Sequence, residues 1–272
     1  MSAQLHEVNS TRSSDIPYQE ASLDIWDKKY RLKSKTGDII DSSALLDDQG
    51  RIYVVTSHSR KENGKRSDMR EQLARFALDG EQVVDFKVLR DLRKKISAQH
   101  KPLKDAAKIR DVKDDGGFNI EGLSFDAAKR YLLVGLRSPL AGSNALIAVL
   151  ENPAAVFDQG EKPRISERLI ELDLDGGGIR ALSYDPHLGG FLIVSRKPEK
   201  SFKLWLWSGE VDQPPQRLKV PGIKSLRRAE GVTPVRLNGR PEGILIVSDD
   251  GSGLRGKPGH YLFLRYQQLV TN

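Results

Sequence analysis

One phrase returns four times along this chain, and it restricts the fold more than any other feature. Residues 120–137 read IEGLSFDAAKRYLLVGLR, and the outline comes back as IRALSYDPHLGGFLIVSRK from Ile179 and as AEGVTPVRLNGRPEGILIVSDD from Ala229. A degraded copy, IIDSSALLDDQGRIYVVTSH, begins at Ile39. Short apolar or alternating runs, cut by turn residues and recurring every roughly 50–80 residues, are the mark of a β-repeat architecture.

Within each copy the runs fall into four strands. The second unit predicts strands over 121–125, 131–137, 144–150 and 168–174, with a loop over 152–163. The third predicts 180–184, 191–195, 203–207 and 216–220, and the first 40–45, 51–56, 73–78 and 83–89. The fourth supplies three: 232–237, 243–248 and 260–266. A bare edge exposes unpaired backbone groups, so the N-terminal stretch 23–32, LDIWDKKYRL, is expected to complete that blade and close the ring. The expected fold is therefore an all-β propeller of four-stranded antiparallel blades, four recognisable and a degenerate fifth left open in residues 1–38. By this reading residues 1–22 are a polar tail and 23–272 one propeller domain.

Two insertions break the rhythm. Residues 89–115 carry nine Lys or Arg and place Leu89, Leu92 and Ile96 at helical spacing, which predicts one short helix near 89–100 and a basic loop. Residues 59–69, SRKENGKRSDM, read as a polar, basic hairpin loop.

Composition narrows the function classes. With no cysteine in 272 residues there is no disulfide framework, thiolate metal site or thiol nucleophile. The polar start, MSAQLHEVNSTRSSDIPYQEAS, lacks a secretory apolar stretch and no run is long enough to span a bilayer, so the cytoplasm is the expected location and no membrane is an expected partner. The formal net charge of +7 is spread along the sequence and reads as solvated surface, so nucleic acid is not an expected partner.

The first strand of each unit opens on one prominent residue: Asp41, Glu121, Arg180 and Glu230. Antiparallel pairing sets each beside the end of the second strand, so Asp41 lies near Ser57 and His58, Glu121 near Arg137, Arg180 near Arg196, and Glu230 near Asp249 and Asp250. First strands line the channel of a propeller, so these groups are expected to converge on the axial mouth. Two jobs suit such a ring. Glu121 and Glu230 would supply carboxylates to a cation, for which calcium is the natural choice because it takes six to eight oxygens. Alternatively, Arg137 and Arg180 would grip an anion through planar guanidinium forks, with Asp41, Asp249 and Asp250 completing the ligand site. The plainer alternative is that acids and arginines neutralise one another as salt bridges between blades.

His58 is the best single candidate for an acid or base, since imidazole titrates near neutrality and Asp41 would orient it. Other motifs fall away: Gly251-Ser-Gly-Leu-Arg-Gly256 fits a dinucleotide fingerprint in letters, but Lys257-Pro258-Gly259 leaves it no helix.

Several runs, in order, resemble one family: Thr-Ser-His-Ser-Arg-Lys (56–61), Gly-Phe-Asn-Ile-Glu-Gly-Leu (117–123), Leu-Leu-Val-Gly-Leu-Arg-Ser-Pro (132–139), Leu-Asp-Leu-Asp-Gly-Gly-Gly-Ile-Arg-Ala-Leu (172–182) and Ile-Val-Ser-Asp-Asp-Gly (246–251). They are similar to the bacterial family catalogued as domain of unknown function 3616, over about residues 39–255. The resemblance implies a propeller-like protein of unassigned activity, distantly similar to phytase-like esterase and gluconolactonase-type propellers that hold a metal at the axial mouth through a Glu-Gly glutamate. Where that family carries a further Glu-Gly, this chain has Asp41-Ser42-Ser43, which alters that ligand position.

Two functions from different classes follow. The first is a binding or interaction module taking a small anionic or metal-bridged ligand, or a protein partner, at the axial mouth. The second is a calcium-dependent hydrolase of an ester, lactone or phosphoester, with Glu121, Glu230 and Asp41 on the ion, His58 moving protons, and Arg137 or Arg180 stabilising developing charge.

Overall fold

A computed structural model describes residues 42–61, 63–80, 82–110, 116–198, 201–220, 226, 228–248 and 260–271. The all-β propeller expected from the repeats is the observed architecture, with four antiparallel blades laid down in chain order. The first blade is β1 (Ser42–Leu46), β2 (Ile52–Thr56), β3 (Leu73–Asp79) and β4 (Gln82–Leu89). The second is β5 (Asn119–Phe125), β6 (Leu132–Ser138), β7 (Asn144–Leu150) and β8 (Ile170–Asp173). The third holds β9 (Gly178–Asp185), β10 (Gly190–Arg196), β11 (Phe202–Trp207) and β12 (Gln216–Lys219), and the fourth β13 (Ala229–Leu237), β14 (Arg240–Ser248) and β15 (Tyr261–Arg265).

Two departures from the sequence reading concern a strand partner and helices. The segment 23–32 proposed to close the fourth blade lies outside the described residues, as does any fifth blade in 1–38. The last described strand, β16 (Val270–Thr271), pairs with β12, giving the third blade a fifth, outermost strand. Helices are also more numerous than the single one expected: besides α1 (Leu92–Gln99) there are α2 (Lys101–Ala106) and α3 (Pro153–Gln159). The last occupies what reads as a loop. Both added helices carry proline in their first turn, where its missing N–H costs nothing, and α3 ends on Gly160 at φ 70°.

Side-chain alternation builds the stack. In β10, Leu192 and Val194 pack toward the fourth blade against Ile244, Ile246 and Leu262, while Phe191 and Ile193 turn to the second blade against Leu133, Ile147 and Leu172. In β6, Leu132, Val134 and Leu136 face the first blade with Tyr53, Val55 and Leu73. A blade sandwiched between two neighbours buries both faces, so its middle strands read as continuous apolar runs rather than alternating ones. Helices α1 and α2 press Leu92, Ile96 and Leu103 into the core between the first and second blades. Trp205 and Trp207 are buried between blades, with indole N–H groups donating to Ser195 Oγ at 2.8 Å and to the Glu210 carbonyl at 3.0 Å.

Candidate functional site at the hub

The opening residues of three blades share one backbone device. In β5, Ile120 pairs with Leu136 and Gly122 with Gly135, leaving Glu121 as an extra residue. In β9, Ile179 pairs with Ser195 and Ala181 with Val194, leaving Arg180 extra. In β13, Ala229 pairs with Ser248 and Gly231 with Val247, leaving Glu230 extra. A β-bulge bends its strand and re-aims the unpaired side chain. Each bulge sits at the same end of an innermost strand, so the three side chains turn toward one another.

They meet as a chain of charges. Glu121 Oε1 accepts from Arg137 Nη1 at 2.9 Å and from Asn119 Nδ2 at 3.0 Å, and Glu121 Oε2 lies 2.5 Å from Arg180 Nη1. Arg180 Nη2 reaches across to Glu230 Oε1. The guanidinium of Arg180 is only 8% exposed, so these carboxylates compensate a charge largely removed from water. From the first blade, Ser43 Oγ donates to the Glu121 carbonyl at 2.6 Å. Close backbone approach holds the blades in this register. A Cβ at Gly122 would stand 2.8 Å from Ile179 Cγ2, and one at Gly178 would collide with the Arg137 carbonyl.

Arg196 is the residue whose role sequence reasoning missed. It ends β10 at the position Arg137 holds in β6, and it is half-buried. Burial pulls its guanidinium below the ordinary arginine value, the neighbouring Arg137 adds repulsion, and Glu121 offsets part of both. Among the described residues Arg196 has no carboxylate within ion-pair distance; its Nε is buried without a hydrogen-bond partner, and its guanidinium carbon lies 5.7 Å from the Phe202 ring centroid. The signal was present, since Arg137 and Arg196 occupy the same place in the repeat.

Thus Glu121, Arg137, Arg180 and Glu230 are brought together. Asp41, Asp249 and Asp250 lie outside the described residues. His58 follows β2 in the left-handed region at φ 52°, fully buried. Its backbone N–H donates to the Arg70 carbonyl at 2.5 Å and its carbonyl accepts from Arg93 of α1 at 3.4 Å. Burial first, then the Arg93 charge, drive the imidazole down to about 3; the Gln72 backbone favours protonation slightly but lies outside hydrogen-bond geometry. The ring is therefore neutral at physiological pH.

Among the described residues no three His, Asp or Glu side chains gather to hold a metal ion. Both oxygens of Glu121 already face guanidinium groups, and Glu230 shares Arg180. The carboxylates so placed do not fit a cation unless Arg180 gives way.

The family model for proteins of unknown function 3616 (DUF3616) matches residues 50–263. The chain belongs to that family. Among curated proteins none matches it. This DUF3616 propeller carries Glu121-Gly122 at the bulge of β5, where the glutamate enters the ion-pair chain and the glycine allows β9 to pack close. No helix among the described residues is long and apolar enough to cross a membrane.

Proposed function

We propose that the hub of this DUF3616 propeller binds a small anionic ligand, a carboxylate or phosphoryl group, between Arg137 and Arg196. The observation that carries this reading is Arg196: a half-buried guanidinium beside a second one, lacking an acid of its own among the described residues. Such a pair costs stability until an anion screens it, and each charge-assisted hydrogen bond contributes about 1.5–3 kcal/mol. Glu121 and Asn119 supply the counterweight. Asn119 holds Glu121, and Glu121 fixes Arg137 from one side and leaves the other to a ligand, while Arg180 is held between two carboxylates as framework.

The test is calorimetry and thermal shift with a panel of phosphate, phosphomonoesters and mono- and dicarboxylates. Binding by one class, weakened on the order of tenfold or more in Arg196→Met, is the expected result. No binding by any member overturns the reading. A stabilisation produced by Ca²⁺ and reversed by chelator, with no response to anions, replaces it with a metal site.

A further inference from the structure

Folding gathers basic residues that are spread along the sequence. The segments 60–72 and 90–110 together hold thirteen Lys or Arg against five Asp or Glu, an excess of eight where the whole chain has seven, so the remainder is close to neutral. Arg60 joins the two segments: its Nη2 donates to the Ala107 carbonyl just past α2 at 3.3 Å, and its Nη1 closes the loop on the Gly64 carbonyl at 3.1 Å. The Arg110 side chain lies over Gly64 within about van der Waals contact, and Arg90 Nη1 reaches the Asp68 carbonyl at 3.4 Å. The loop and the helix pair are therefore one surface. Beneath it, Glu71 is spent on Arg93 at 3.1 Å and on Arg66. Above it, Lys61, Lys65, Lys94, Lys101, Lys104 and Arg110 are exposed and form no ion pair among the described residues, with Asp105 close enough to Lys101 and Lys104 to feel their charge.

We infer that this face docks the phosphate backbone of duplex nucleic acid without reading its sequence. Charge selects a polyanion, and the lack of apolar anchors selects which one. The exposed large hydrophobics, Leu46, Leu78, Val83, Val84, Tyr131, Val211 and Leu237, all lie outside both segments. A protein interface of useful affinity centres on buried aromatic or aliphatic anchors, and an interfacial membrane helix presents a lipid-facing apolar stripe. Single strands are held by stacking on aromatic side chains, which this face does not expose. A duplex backbone needs only cations. Lys101 and Lys104 stand one turn apart on α2, about 4.5 Å along its axis, and present two cations side by side to a phosphate backbone.

The experiment is fluorescence anisotropy of the full chain with a duplex DNA of arbitrary sequence, titrated from 50 to 200 mM salt. The expected result is binding whose affinity falls steeply with salt. The double variants Lys101→Glu/Lys104→Glu and Lys61→Glu/Lys65→Glu should each lose on the order of tenfold per contact at 0.1 M salt, and the log–log slope should shrink by about one per contact removed. Arg217→Glu/Lys219→Glu, the same change in net charge on the exposed side of β12, should retain most of the affinity. The inference is overturned by no binding at 50 mM salt or by equal losses in all three variants. Equal or tighter binding of a polyglutamate peptide or of phosphatidylserine vesicles at matched salt overturns it as well.

Discussion

Glu121 and Arg180 occupy the same bulge position in adjacent innermost strands, and their side chains meet at 2.5 Å across the seam between the second and third blades. A one-residue irregularity repeated from blade to blade thus does two things. It releases a charged side chain from the sheet, and it delivers that side chain to its counterpart in the next blade. The hub is electrostatically continuous because the bulges are in phase.

Breaking that continuity should be costly. Glu121→Gln keeps the shape but leaves the buried Arg180 with Glu230 as its named carboxylate partner, and it should lower stability by about 1–3 kcal/mol, less than for a fully buried pair because Glu121 is 19% exposed. Urea denaturation should show a reduced midpoint at unchanged slope. In a double-mutant cycle with Arg180→Gln the losses should be well short of additive.

Arg196 should behave in the opposite way. Arg196→Met retains a stem to pack on Phe202 while removing a guanidinium repelled by Arg137. Without ligand its melting temperature should stay level or rise, a gain of up to about 1 kcal/mol, as happens when a binding group is removed from a strained site. A clear fall would mark Arg196 as structural and count against the anion site.

His58 sets a pH dependence. The unfolded imidazole takes up a proton below its ordinary 6.5, whereas the buried ring refuses one until about 3. Acidification through that window therefore favours the unfolded chain, and stability falls as pH drops, by up to about 1.4 kcal/mol per unit. Stability measured from pH 7 to 4 should decline less steeply in His58→Asn, a residue that tolerates the positive φ. Burial also lowers His100, so some slope should persist.

Gly178→Ala would drive a methyl into the Arg137 carbonyl where β6 and β9 approach most closely. We expect a loss of about 2–4 kcal/mol, of the kind seen when backbone must shift to admit a side chain, together with weakened anion binding because Arg137 moves with its strand. Gly189→Ala, with open space around it, should cost less, about 1 kcal/mol for its φ of 63°. Parallel thermal melts of the two variants check the contrast.

The C-terminal pairing can be probed through Tyr266, whose hydroxyl donates to Asp185 Oδ2 at 2.9 Å. Asp185 is fully buried, and its other oxygen accepts the backbone N–H groups of His187 and Leu188. Tyr266→Phe should cost about 1–3 kcal/mol by leaving a buried carboxylate oxygen unpaired. Amide exchange in β16 and β12 should quicken, since Tyr266 anchors the chain just before β16 returns to the third blade.

Much of the architecture was legible as periodicity. The runs at 121–125, 144–150 and 203–207 each lie within a residue or two of an observed strand, because a turn signal and a period-two apolar run are local properties of the chain. The pairing of Glu121 with Arg137 was legible too, since antiparallel register carries it once both strands are known. Helix α3 was hidden by its length of seven residues, and α2 by a proline that starts a helix as readily as it breaks one.

Residue order by itself determined that this is a β-propeller, how many blades recur, and which charged residue stands near the start of the first strand in the second, third and fourth; these follow from patterns a few residues long repeated along one chain. Tertiary structure decided the rest. Whether a carboxylate faces a guanidinium, whether His58 is buried under Arg93, and whether lysines forty residues apart share one face depend on bulges, blade twist and loop packing. Those set distances between residues remote in sequence, and the electrostatic energy of a site depends on those distances and on burial.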